Sequence, residues 1–232
     1  MFNDIPGQIY STLIVNSRWT LFANGLLVTL MIAGIAVALG VVIGSFVAIA
    51  KVNASQHKSM KWLEVICDVY ITVIRGTPIV VQLLIMYFII FAAAPTEAAP
   101  YVAALAFGIN SGAYVAEIVR AGIQSVDRGQ TEAGRSLGLT RGMTMREIVF
   151  PQAIKNILPA LGNEFIVLFK ETAIVGMVAV ADLTRAADLV RSRTFLPVVP
   201  LLFIALVYLA VVLIISWALK KLERKLAQSE AR

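Results

Sequence analysis

Four ionisable side chains, Glu117, Glu164, Lys170 and Glu171, fall within or at the end of runs that are otherwise mostly apolar. Asn110 and Ser111 sit mid-way along the run that ends near Glu117, and Thr77 stands in the break Arg75-Gly-Thr-Pro78. Charge in a hydrocarbon environment is costly, so such residues face a cavity, a partner or a pathway. Carboxylates accept hydrogen bonds from a cation, while Arg75, Lys170 and backbone groups near the proline breaks donate to an anion. The competing reading is purely structural. Arg75 and Arg120 then reach toward the membrane interface on their long stems, and Glu164 and Lys170 pair with neighbouring helices or a second subunit. His57 reads as a solvated loop residue rather than a pH switch, and Cys67 and Tyr114 as packing. With one His and one Cys far apart, no metal-ligand cluster or nucleophile motif is evident.

The elements that must position these groups follow from composition. Of 232 residues, 59% are hydrophobic and 15% charged, against roughly a quarter charged in soluble domains. The apolar residues lie in long runs, so lipid is the implied solvent. The reading is an all-α polytopic membrane protein forming one domain over residues 1–232. It has about five spans, at roughly 21–50, 78–94, 100–123, 148–170 and 195–219. Pro159 interrupts the fourth, and residues 171–193 are mixed and irregular. The amphipathic stretch 62–74 reads as a short helix lying near the membrane surface. Gly40 with Gly44, and Gly108 with Gly112, have the four-residue spacing that lets helix backbones approach closely. Lys and Arg concentrate after the first span, after the third and in the C-terminal tail. This places those segments in the cytoplasm and the N-terminus outside. The net charge of +6 is distributed between spans rather than along one face, which argues against nucleic acid. No cleavable signal sequence is evident.

The loop at 124–147 is the least apolar stretch. Gln130 to Leu137 can form two turns of helix, with Gly138 as a left-handed cap. Thr144-Met-Arg-Glu147 has a capping-box pattern that predicts a new helix start. From physics alone, this segment is either a knob for a partner's groove or a solvated loop.

The loop resembles the cytoplasmic signature of bacterial ABC importer permeases: Glu-Ala-Ala, three residues, Gly, nine residues, Ile, one residue, Leu-Pro. The matching positions are Glu132, Ala133, Gly134, Gly138, Ile148 and Phe150-Pro151, with every spacing kept. Gly134 stands where Ala is usual, which costs a helix up to about 1 kcal/mol, and Phe150 stands where Leu is usual. Arg75-Gly-Thr-Pro78, Gly112 through Arg120, Gly129-Gln130, Leu161 through Glu164 and Lys170-Glu171-Thr172 are similar to the polar amino-acid branch (histidine, glutamine, glutamate and arginine type). That branch more often has Asp at 171 and Ser at 173.

The resemblance implies a bacterial cytoplasmic-membrane subunit that translocates a polar amino acid. A cytoplasmic ATP-binding cassette ATPase dimer, carrying the ATP and Mg, would power it through the loop helix. A second permease subunit, identical or homologous, and an extracytoplasmic solute-binding protein would complete the assembly. No cofactor is expected on this chain, and no Gly is followed by Lys, so a Walker-type phosphate loop is absent from the sequence. For a zwitterionic cargo, Glu117 or Glu171 supplies an acceptor for the ammonium, and Arg75, Lys170 or backbone groups supply donors for the carboxylate. The alternative is a secondary transporter driven by an ion gradient. It leaves the loop signature without purpose, and no convincing internal repeat supports it.

Overall fold

A computed structural model describes residues 4–56 and 58–228, so His57 lies outside the described residues. Among them the chain is helical, with no strand. The helices are α1 (Ile5–Leu13), α2 (Trp19–Gln56), α3 (Lys61–Gly76), α4 (Ile79–Ile85), α5 (Ala99–Gln124), α6 (Arg128–Ser136), α7 (Arg141–Thr144), α8 (Phe150–Glu171), α9 (Leu183–Thr194) and α10 (Val198–Gln228). Lipid explains the monotony: inside hydrocarbon a backbone must satisfy its own polar groups, and a helix does so locally.

Among the described residues, three helical segments are long and apolar enough to cross a membrane: Val15–Val52, Thr96–Gln124 and Val198–Lys225. Counting the broken pair α3 and α4 as one span gives four. The expected five-span count therefore needs α8 as well. That helix has 22 residues, but Lys155, Glu164, Lys170 and Glu171 make it too polar to qualify on composition.

Four local expectations change. The second span is shorter than 78–94: α4 starts after extended backbone at Pro78 and continues as a wide π turn only to Ile90, where Phe91 leaves the helix at φ −108°. Pro159 does not interrupt α8. Losing one backbone hydrogen bond costs less than unravelling a turn in lipid. The helix start expected at Thr144 lies one turn earlier, where the Thr140 hydroxyl accepts from the Met143 N–H. Thr144 instead turns its hydroxyl back onto the Thr140 carbonyl at 3.0 Å. The stretch 171–193 is also more regular than its composition suggests. A 3₁₀ helix over Thr172–Val178 ends at Ala179 in the left-handed region, and Asp182 caps α9.

The chain divides into two compact units whose boundaries fall inside α2, α5, α8 and α10. The first comprises residues 4–37, 78–107 and 166–215. Ile32, Leu83, Phe107, Leu168 and Val175 form one of its cores; Phe22, Leu183, Val190 and Ile204 form another. Fully buried Asp182 joins α9 to α2 in this unit. Its carboxylate accepts from the Thr184 and Arg185 N–H groups, and the Leu183 N–H donates to Thr29.

The second unit comprises residues 38–77, 108–165 and 216–228, with Ala48, Val115, Val119, Ala153 and Ile157 at its core. Here the small-residue spacing closes a helix crossing. A Cβ on Gly44 would lie 2.6 Å from the Val115 Cβ and 2.7 Å from the Gly112 carbonyl oxygen. Because one obstacle is backbone, Gly44→Val should force α2 and α5 apart. The expected loss is about 1–3 kcal/mol, measured as a lower unfolding midpoint in SDS titration. An unchanged midpoint would show that the crossing is loose.

Helix α3 shows apolar residues on two sides. Trp62, Val65, Ile66, Val69 and Val73 are all more than half exposed, Cys67 and Ile71 are buried, and the exposed Asp68 and Arg75 line an open cavity of the second unit. An apolar outer stripe suits hydrocarbon.

Candidate functional site

Helix α5 passes Asn110 and Ser111 through the second unit with almost no exposure: 4% and 0%. Serine is tolerated there because its hydroxyl has a partner, donating to Glu164 Oε1 of α8 at 2.9 Å. Gly40 makes room for this serine, since a Cβ there would meet the Ser111 oxygen at 2.6 Å. Behind the pair, the Tyr70 hydroxyl donates to the Ile109 carbonyl at 2.6 Å, fixing α3 against α5. Tyr70 was not singled out from the sequence, because nothing local marks a tyrosine whose partner is 39 residues away.

Two turns along α5, Glu117 meets Arg120. The guanidinium spans both carboxylate oxygens at 2.7–3.1 Å, and another of its nitrogens reaches Gln124 at 2.8 Å. This forked pair lines a cavity of about 530 Å³ together with Lys51, Glu64, Asp68 and Arg75. Lys51 pairs with Asp68 at 2.5 Å. The Arg75 guanidinium lies 5.2 Å from the centroid of the Tyr114 ring, a cation–π contact. Thr77 ends α3 by donating to the Val73 carbonyl at 2.8 Å. Thr77, Asn110, Ser111, Glu117 and Glu164 therefore belong to one unit, and the structure joins Ser111 directly to Glu164. Lys170 and Glu171 belong to the other unit, where Lys170 is exposed and Glu171 half-buried.

The loop helix forms, starting at Arg128, two residues before the expected Gln130. Asp127 caps α6 by accepting from the Gly129 N–H at 2.6 Å. At the other end, the Gly138 N–H reaches the Arg135 carbonyl and the Leu139 N–H reaches that of Gly134, at 3.0 and 3.1 Å. This paired closure requires a left-handed residue, and Gly138 has φ +82°. Glu132, Ala133 and Leu137 are exposed, Leu137 by 79%.

The inner side of α6 is fastened. A Cβ on Gly134 would lie 2.7 Å from Thr144 Cγ2 and 2.9 Å from Ile148 Cδ1, so the glycine lets α6 seat against the approach to α8. Gln152 donates to Gln130 at 3.3 Å, and Asn156 donates to Ser125 at 2.8 Å. Neither amide contact is visible from sequence spacing. Ile148 thus faces the handle, while Pro151 occupies the first turn of α8, where a missing N–H costs little.

The polar helix α6 is thus presented outward and tied to α8, the helix that carries Glu164. Residues 40–228 match the family described as "binding-protein-dependent transport system inner membrane component". The arginine transport system permease protein ArtQ of Bacillus subtilis is 39% identical over 208 residues, covering 89% of this chain and 93% of ArtQ. The glutamine transport system permease protein GlnP of Escherichia coli is 36% identical over 211 residues, covering 89% and 93%. A crystal structure of an amino acid ABC transporter with histidines superposes with a TM-score of 0.85 at 45% identity, over 97% of this chain and 100% of that one. The chain belongs to the family of binding-protein-dependent transport system inner membrane components, the permease subunits of ABC transporters.

Proposed function

We propose that this permease carries a polar amino acid inward across the bacterial cytoplasmic membrane. Its power source is ATP hydrolysed, with Mg, on a cytoplasmic ATPase dimer that grips α6. A solute-binding protein delivers the cargo on the outer side, where the N-terminus lies, and a second permease subunit, identical or homologous, completes the pathway. The chain itself holds no cofactor. The observation that carries this reading is the Ser111–Glu164 contact at 2.9 Å: a carboxylate kept in place by a buried hydroxyl is a suitable acceptor for an ammonium group. Asn110, Glu171 and Lys170 are further candidate contacts, with Thr77 at the helix break. Glu117 is a weaker candidate for cargo, since Arg120 already occupies both its oxygens.

Force reaches Glu164 through α8. Movement of α6 is passed on by the Gly134 seat and the Gln130–Gln152 contact. Glu132, exposed on α6, is the natural point for the ATPase to grip. Glu132→Ala should weaken ATPase binding at least about tenfold, the scale of an interface anchor, without altering membrane insertion. Co-purification and binding titration read this directly; unchanged affinity would remove Glu132 from the coupling surface.

The deciding experiment is uptake of labelled glutamine and arginine into proteoliposomes containing the chain, its ATPase and its binding protein. Uptake should require ATP. Accumulation that persists without the ATPase, and follows an imposed proton or sodium gradient, would establish the secondary-transporter reading instead.

A further inference from the structure

A groove of about 480 Å³ runs through the second unit between α2, α5 and α8. Its walls are apolar (Ile49, Val52, Phe150, Ile154, Leu158 and Leu161 among them), and among the described residues Arg146 is the one charged residue lining it. A second chamber of about 490 Å³ shares Val52, Gly142 and Met145 with the first and is lined by Arg135 and Arg141. Among the described residues, three arginines and no carboxylate therefore line the two chambers. Arg135 is partly committed to the Leu139 carbonyl, and Arg146 keeps a contact with Glu147 at 3.4 Å in which both side chains are well exposed. The Arg141 side chain is exposed and makes no hydrogen bond or ion pair among the described residues.

An apolar trough opening into a basic chamber has the polarity of a phospholipid. We propose that this groove holds one phospholipid with an anionic headgroup, its acyl chain along Ile49, Ile154 and Leu158 and its phosphate on Arg141 and Arg146. The charge pattern favours this occupant. A soluble partner would match the arginines but not the apolar trough, and a neutral lipid would leave the arginines unmatched. Basic residues close to a headgroup layer attract anionic lipid. The site lies beside the α6 seat, since Thr131 and Val149 also line the basic chamber. Lipid occupancy is thus placed to stiffen the handle. The inference rests on the membrane reading of the chain and not on the identity of its cargo, so failure to transport amino acids would leave it standing.

The test uses the full chain in nanodiscs. Trp19, Trp62 and Trp217, all more than half exposed, are replaced by Phe, and Ile154→Trp places a single reporter in the groove. Phosphatidylglycerol with brominated tails, diluted into phosphatidylcholine, should quench this reporter at far lower mole fraction than brominated phosphatidylcholine does. Arg141→Gln and Arg146→Gln should each cut that preference about fivefold, the factor expected per basic residue near an anionic surface. Native mass spectrometry of the chain without the reporter provides a second readout: phosphatidylglycerol should be retained by the parent and lost from the double arginine variant. Equal quenching by the two lipids means an ordinary annulus and overturns the proposal. Absence of quenching by either, with cross-linking through Ile154→Cys between copies, assigns the groove to a second subunit and overturns it as well.

Discussion

Glu164→Gln should lower ATP-driven uptake by roughly 10- to 100-fold, with most of the loss in KM. The argument begins with shape. Glutamine fills the same volume and can still accept from the Ser111 hydroxyl, which donates to Glu164 Oε1 at 2.9 Å. Packing of α5 on α8 is therefore retained, and only the negative charge is lost. A hydrogen bond to a charged group contributes about 1.5–3 kcal/mol, which converts to the stated factor. Ser111→Ala, by contrast, keeps the charge but releases its anchor, so a smaller, mixed effect on KM and maximal rate is expected. Glu117→Gln is the informative comparison. It breaks the forked contact with Arg120 and should appear as lower stability in detergent rather than altered cargo affinity. Labelled-substrate uptake at several concentrations, with thermal unfolding alongside, separates the three variants. Parental KM in Glu164→Gln would remove this carboxylate from the cargo path.

The two regions differ in how much the sequence reveals, and the reasons are physical. The far end of α6 was legible because its determinant, Gly138 just past the helix, is local; its start was not, since the Asp127 cap begins the helix at Arg128 rather than Gln130. The long apolar runs were legible too, since hydrocarbon thickness sets a minimum length. The facing of α3 was not. Periodicity shows that one side of residues 62–74 is apolar and the other charged, but not which side meets the protein. The structure turns Trp62 and Val69 outward and buries Cys67 and Ile71, while Asp68 meets Lys51 from an exposed position. The start of the segment leading into α8 was misplaced for a related reason. A threonine can cap forward or bond backward, and the capping-box spelling at Thr144 concealed a hydroxyl aimed at Thr140. Partners such as Tyr70 and Ile109, or Gln130 and Gln152, are set only when helices pack. The meaning of Gly134 also changed. From sequence it is a weak helix residue; in the fold it is a space that Thr144 and Ile148 fill.

That space supplies the sharper test of coupling. Gly134→Ala restores the residue usual in the ABC permease signature and should stay within about fivefold of parental uptake. Its gain of up to about 1 kcal/mol in helix propensity is opposed by a Cβ placed 2.7 Å from Thr144 Cγ2 and 2.9 Å from Ile148 Cδ1. The Ile148 methyl is the far end of a flexible chain and can give way, whereas Thr144 is held by its bond to Thr140. Gly134→Leu has no such outlet. A branched side chain must lift α6 off Thr144 and Ile148, and the Gln130–Gln152 contact, already 3.3 Å long, should part with it. Overpacking of this kind typically costs about 1–3 kcal/mol. Here it falls on the seat of the handle rather than on the membrane helices, so the chain should still insert and fold. The expected signature is uncoupling: ATPase subunits still hydrolyse ATP in the reconstituted complex, but uptake per ATP falls at least about tenfold, the weight of 1.4 kcal/mol on a two-state equilibrium. Parental uptake per ATP in Gly134→Leu would mean that α6 transmits force by a route that does not pass through its contact with Thr144 and Ile148.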